Sequence, residues 1–185
     1  GQPDKERIKQ IKEFLRLERE MLLRYHQKGD SGLRLTRSRA VILDVLIQNL
    51  FDYAIKVAKE SMGKVKPMCV LATGGYGRGE LSPHSDIDIM FLYPRNSMGK
   101  SLDILKETMT REILYPLWDT GLKVGHASRE IKEAIVESQK DIRNKNSMLD
   151  GRFLCGDRKI AEKFIEKFHK FCRRNNPSEY LKELL

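Results

Sequence analysis

Apolar residues recur every three or four positions from about Asp4 to Gln27, where Ile8, Ile11, Leu15 and Leu22 form one stripe among charges. That spacing predicts an amphipathic helix, stopped by the turn formers Gly29-Asp30-Ser31-Gly32. A second helical period runs from about Thr36 to Ser61, with Leu43, Ile47, Leu50, Ala54 and Val57 on its buried face, and Gly63 and Pro67 close it. The pattern then shortens. Met68 to Thr73 is an apolar run halted by Gly74-Gly75, and Ile87 to Tyr93 is another ended by Pro94. Both read as buried strands. From Ser101 to Trp118 the helical period returns through Leu102, Leu105, Met109 and Ile113, with Ser101 a plausible N-cap. Pro116 is expected to kink or loosen the end of that helix. Leu122 to Ser128 is a weaker strand candidate, and Glu130 to about Asn175 reads as two or three helices, broken near Gly156-Asp157 and ended before Pro177.

The order is therefore two helices, strand, turn, strand, helix, strand, then helices. It predicts an α+β fold, a small mixed sheet with most of the helix outside it. Three segments follow: a helical lead-in over 1–66, a sheet-forming core over 67–130, and a helical segment over 131–185 that can open a further subdomain.

Composition adds mostly exclusions. A chain of 185 residues can form one domain with a real core. No apolar run approaches the ~18–20 residues a membrane helix needs, and Gly1-Gln2-Pro3-Asp4-Lys5 lacks the apolar core of a secretory signal. No membrane partner is expected. Cys69, Cys155 and Cys172 are odd in number and form no CxxC pair. They fit reduced thiols in the cytoplasm better than a disulfide framework or a zinc site. The net charge of +9 attracts phosphate, but much of it lies on solvated helix faces such as Lys159 to Arg174. Charge alone does not choose between nucleotide, nucleic acid and acidic partner.

Candidate chemistry is concentrated between Leu71 and Tyr93. One strand leads into Gly74-Gly75-Tyr76-Gly77-Arg78-Gly79-Glu80-Leu81, and Ser85-Asp86-Ile87-Asp88 opens the next. Side chains alternate along a strand, so Asp86 and Asp88 share a face. Two carboxylates that close raise each other's pKa unless a cation compensates. Mg²⁺ or Mn²⁺ is the natural candidate, held by one or two carboxylates with waters and substrate phosphates completing the shell. Gly74 and Gly75 let backbone N–H groups approach an anion. Arg78 can present its planar fork to phosphate, and Ser85 can donate a hydroxyl. Glu80 can orient Arg78 or support the loop. Tyr76 can stack on a base or cover the core, and Trp118 is expected in the core.

The stretch GGYGRGELSPHSDIDIMFLY resembles the signature of bacterial protein-PII uridylyltransferases, members of the polymerase-β-like nucleotidyltransferase superfamily. Leu117-Trp118-Asp119-Thr120-Gly121-Leu122-Lys123-Val124-Gly125-His126, with Arg129 after it, resembles a second segment of that family. Asp141 to Asp157, with Leu149, Arg152-Phe153-Leu154 and Gly156-Asp157, resembles a third. The likeness covers about Leu71 to Asp157. It implies a polymerase-β-like nucleotidyltransferase core over 67–130 and metal-dependent transfer of UMP from UTP to a tyrosine hydroxyl of a PII nitrogen-regulatory protein, releasing pyrophosphate. Asp86 and Asp88 would be the catalytic, metal-holding pair, and Gly74, Gly75, Arg78 and Ser85 would bind the triphosphate. UTP or another NTP and a PII protein are the implied partners, with no nucleic acid and a cytoplasmic location.

Two departures qualify the resemblance. The superfamily usually adds a third carboxylate from a neighbouring strand, yet Leu122 to Ser128 contains none; His126 or Asp141 are the candidate substitutes. The family's downstream hydrolase and regulatory domains are also not expected in this chain, since none of its four histidines is followed by Asp. Two alternatives stay open: a nucleotidyltransferase acting on another protein, RNA or a small molecule, and a non-catalytic nucleotide sensor.

Overall fold

A computed structural model describes residues 5–94 and 99–174. Two long helices lead, α1 (Lys5–Gln27) and α2 (Gly32–Met62). Strand β1 (Cys69–Ala72) runs into a one-turn helix, α3 (Gly74–Gly77), and the chain returns as β2 (Ile87–Tyr93). Then follow α4 (Lys100–Met109), a single π-helical turn over Thr110–Leu114, α5 (Tyr115–Asp119) and β3 (Val124–Glu130). Helices α6 (Ile131–Lys140) and α7 (Ile142–Leu149), strand β4 (Arg152–Gly156) and α8 (Arg158–Arg174) complete the described fold. The expected stop before Pro177 lies outside the described residues. No helix among the described residues is long and apolar enough to cross a membrane.

The four strands form one mixed sheet in the order β3-β2-β1-β4. β1 is antiparallel to both β2 and β4, whereas β2 and β3 are parallel. The α+β expectation holds, with one strand more than the sequence pattern suggested. β4 falls within the stretch read as helical, and it lies across the division drawn at residue 130. Its five residues carry no helical signal against them; what makes them a strand is the open edge of β1, about eighty positions earlier in the chain. Ser101 does not cap α4. The helix starts one residue sooner, behind Gly99, whose carbonyl accepts from the Leu102 amide at 2.8 Å.

Alternation along β2 separates the two layers that cover the sheet. Ile87, Ile89, Phe91 and Tyr93 join α1, α2, α4 and α5 residues such as Leu15, Leu43, Ile47, Leu105 and Leu117 in one core. Met90 and Leu92 face the other way, onto Ile131, Ala134, Met148, Phe164 and Phe168 of α6, α7 and α8. The sheet is thus sandwiched between helices on both faces.

Polar contacts fix α1 against this sandwich. The Arg39 guanidinium of α2 donates to both Glu18 carboxylate oxygens of α1, at 2.8 and 3.1 Å, with both side chains nearly fully buried. Arg7 reaches the π-turn, donating to the Glu112 carbonyl at 3.0 Å and pairing with its carboxylate at 2.9 Å. The residue four positions on is Pro116, which has no N–H to offer that carbonyl in an α-helical bond. Pro116 thereby shapes the helix as expected, and the donor it lacks is replaced by an arginine from another helix.

A buried ion pair stabilises little relative to apolar packing but is costly to break, and Arg39 Nε has no hydrogen-bond partner. Glu18→Ala is therefore expected to lower the unfolding free energy by about 3 kcal/mol, while Glu18→Leu with Arg39→Met stays within about 1 kcal/mol of the original protein. Urea denaturation of the single and double variants checks both values.

Candidate active site

The glycine turn is built between β1 and β2. The Thr73 amide donates to the Asp88 carbonyl at 2.9 Å, so the start of the turn is tied to the strand that carries the carboxylates. Tyr76 is buried in the core and its hydroxyl donates to Asp44 Oδ1 of α2 at 2.7 Å. Of its two readings, base stacking and core cover, the structure supports the second. Burial, then the Asp44 charge, pushes its phenol far above the ordinary value, so it serves as a permanent donor. Arg152 of β4 clamps the same turn from beneath. It donates to both Asp44 oxygens at 2.6 and 3.1 Å, and to the carbonyls of Tyr76 and Gly77, each at 3.2 Å. A side chain at Gly77 would place its Cβ 2.2 Å from the Asp150 carbonyl oxygen, so only glycine lets the end of α7 lie against the turn.

Asp86 and Asp88 stand at the mouth of β2, and Asp88 shares its face with Met90 and Leu92. Asp86 is exposed and Asp88 half-buried. In the parallel ladder Asp88 is paired with Gly125 of β3, and a Cβ at 125 would fall 2.4 Å from Asp88 Oδ1. Among the described residues neither carboxylate has a hydrogen-bond or ion-pair partner. Burial first, then the Asp86 charge, raises the Asp88 pKa above its ordinary value. A pair of hard oxygen donors with uncompensated charge is the donor set that suits a divalent cation.

Asp88 also lines a pocket of about 390 Å³, with Thr73, Gly125, Arg129, Arg143 and Ser147 among its walls. Its floor is the sheet and its far wall is α7. Gly74 adjoins this space, since a Cβ there would lie 3.4 Å from both Asp88 Oδ2 and Ser147 Oγ. Gly75, Arg78, Ser85 and Asp86 are not among the lining residues. Arg78 forms a close ion pair with Asp150, and its Nε is 4.0 Å from a Glu80 oxygen. Ser85 is exposed in the turn before β2, its amide donating to the Ser82 carbonyl at 3.1 Å.

Neither candidate for a third ligand joins the carboxylates. His126 is paired with Ile89, which places it on the opposite face from Asp88. Its ring packs edge-on against Trp118 at 5.6 Å. Asp141 caps α7 instead, its Oδ1 accepting from the Arg143 amide at 2.8 Å. Among the described residues no group of three His, Cys, Asp or Glu side chains could hold a metal ion. Trp118 is not the core residue expected. It is 38% exposed, and its indole N–H donates to the Val124 carbonyl at 3.3 Å, because α5 ends beside the β3 edge rather than beneath the sheet.

Arg143, Asn144 and Ser147 were not legible in the sequence as site residues, because polar positions on one helical face read as a solvated surface. Arg152 and Asp44 were likewise unmarked, being 108 positions apart. The one available signal was the third matching segment, which contains Arg152.

Residues 6–115 match the family described as GlnE, glutamate-ammonia ligase adenylyltransferase. The chain belongs to this family. It is similar also to curated proteins named bifunctional uridylyltransferase/uridylyl-removing enzyme. That of Rhodospirillum rubrum is 37% identical over 153 residues, 80% of this chain and 16% of the relative. That of Caulobacter vibrioides is 37% identical over 144 residues, covering 77% and 15%, and that of Bradyrhizobium diazoefficiens 35% over 156 residues, covering 83% and 16%. The matched region is thus about a sixth of these relatives' length. The enzyme expectation holds at the level of a nucleotidyltransferase domain.

Two outcomes follow from the carboxylate geometry. The folded domain binds the Asp88 proton more tightly than the unfolded chain does, so this group's contribution to stability falls as pH rises past its ordinary pKa. Asp88→Asn is therefore expected to raise the metal-free Tm by roughly 1–3 °C at pH 7. The gain should vanish near pH ~3, where the carboxyl is protonated in both states; thermal melts at the two pH values check it. Gly125→Ala should displace the Asp88 carboxylate without changing any charge, since a Cβ there would fall 2.4 Å from Asp88 Oδ1, and is expected to lower the Tm by several degrees in thermal melts.

Proposed function

We propose that this domain transfers UMP from UTP to a tyrosine hydroxyl of a PII nitrogen-regulatory protein, with release of pyrophosphate. The observation that carries the reading is the unpartnered Asp86/Asp88 pair beside the glycine turn, with Asp88 lining a pocket that has arginines in its walls. The names of the uridylyltransferase relatives support the transferred group. The acceptor rests on the family resemblance around Leu117 to His126 and Arg152 to Asp157. A cytoplasmic location follows from such an acceptor.

Asp86 and Asp88 would hold Mg²⁺ or Mn²⁺, which when bound supplies charge stabilisation at the phosphate oxygens. The backbone N–H groups of Gly74 and Gly75 and the Ser85 hydroxyl orient the phosphates at the carboxylate end. Arg78, held by Asp150, acts as a positioning residue that ties the glycine turn to the end of α7. The tyrosine oxygen bonds to the α-phosphorus as the bond to the pyrophosphate oxygen breaks, and the hydroxyl proton leaves to solvent. Lining up these two atoms is the main service a rigid pocket provides. A second reading, transfer of AMP from ATP, is favoured by the match of residues 6–115 to an adenylyltransferase family.

Incubation with each labelled NTP, Mg²⁺ and a PII protein separates the readings. Label from UTP is expected in PII, reduced by at least about 100-fold in Asp86→Asn with Asp88→Asn. Label from ATP instead favours adenylyl transfer, and label in RNA but not PII sinks the acceptor. Full transfer by the double variant would sink the site, while absence of pyrophosphate release with any acceptor leaves a nucleotide sensor.

A further inference from the structure

Two arginines line the pocket, Arg129 in loose ion pairs with Glu133 and Glu137 and Arg143 without a side-chain partner among the described residues. Arg129 lies four residues beyond Gly125 on β3 and, by alternation, on the same face as Asp88. Its Nε is shielded and has no hydrogen-bond partner, and its nearest carboxylates, Glu133 and Glu137, stand 3.7 and 3.9 Å from Nη1, beyond hydrogen-bond reach. Glu137 is in turn bonded to Lys140 at 2.5 Å. Across the pocket, Arg143 of α7 makes no side-chain hydrogen bond or ion pair among the described residues. Arg78, the arginine of the glycine motif, is in the opposite condition: committed to Asp150 and outside the lining.

We infer that Arg129 and Arg143, rather than Arg78, hold the polyphosphate tail of the nucleotide; the inference rests on the nucleotidyl-transfer reading above. The distance along β3 from Gly125 to Arg129 is about 13 Å at ~3.3 Å per residue. Arg129 and Asp88 line the same pocket, so the span between them is long enough to take a triphosphate. Of the two halves of an NTP, the nucleoside is uncharged and the tail carries nearly all the charge. Guanidinium forks match phosphate oxygens in pairs, and both of these arginines line the pocket with donors to spare. The tail would then run along the sheet from the carboxylate pair towards Arg129, between β3 and α7. Asn144 and Ser147 line the same wall.

The test is calorimetric titration of the full chain in Mg²⁺ with UTP, ATP, UMP, AMP and inorganic pyrophosphate. Arg129→Gln and Arg143→Gln are each expected to weaken triphosphate and pyrophosphate binding by about 10- to 100-fold, as loss of a charge-assisted hydrogen bond implies, and monophosphate binding by less than about threefold. Arg129→Lys should recover part of the loss. The exposed Arg143 site keeps the test independent of any folding defect at Arg129, and a melt of each variant monitors such a defect. Equal losses for mono- and triphosphate would overturn the assignment, as would unchanged triphosphate binding in both variants. So would a tail-selective loss in Arg78→Gln with none in the other two. If the original chain binds no nucleotide, the nucleotidyl-transfer reading fails and takes this assignment with it. If it binds nucleotide normally and only the arginine pattern is absent, the assignment fails alone.

Discussion

The Asp88 carboxylate occupies a strand whose following five residues are all core, beside a second carboxylate and opposite a glycine, with no cation paired to it among the described residues. Placing a half-buried charge there opposes folding, and the rest of the architecture compensates. Helices cover both faces of a four-stranded sheet, so β1 and most of β2 are fully enclosed. The turn that faces the charge is pinned by Arg152, Asp44 and Tyr76, whose hydrogen bonds satisfy one another away from the pocket. The site can remain unsatisfied because its support is fully satisfied. This is the usual arrangement where a protein stores uncompensated charge for a ligand.

What could be read from the sequence was local. β2 runs from Ile87 to Tyr93 as its apolar run indicated, and α1 and α2 bury most of the stripes that their periodicity marked, Ile8 and Val57 being only half-buried. The carboxylate pair was legible for the same reason: two residues apart on a strand means one face. What escaped depends on contacts distant in sequence. β4 is five residues long and owes its conformation to an edge near residue 70. The direction of His126 depends on its register with Ile89, which no pattern within residues 122–128 specifies. The pocket's far wall is polar like any solvated helix face, and its role emerges only when α7 is laid against the glycine turn.

The two membership signals also divide along the chain. The family match covers residues 6–115, including both carboxylates and the glycine turn, and so speaks for nucleotidyl transfer in general. β3, α7 and β4 lie beyond it, and the alignments with the uridylyltransferase relatives, at 153 and 156 residues, are longer than this match. Features that separate one nucleotidyltransferase from another are thus to be sought where the structure places the pocket wall, between Gly125 and Arg152.

Strand β4 gives this division a practical edge. A fragment cut after residue 130 would keep the glycine turn and both aspartates, and would look complete by motif. It would also leave β1, four consecutive fully buried residues, as an uncovered sheet border of apolar side chains with unpaired amides and carbonyls. Such a border recruits other strands. The short form would tend to self-associate into extended β-structure rather than behave as a minimal enzyme, and a fragment that covers this border has to run at least through β4.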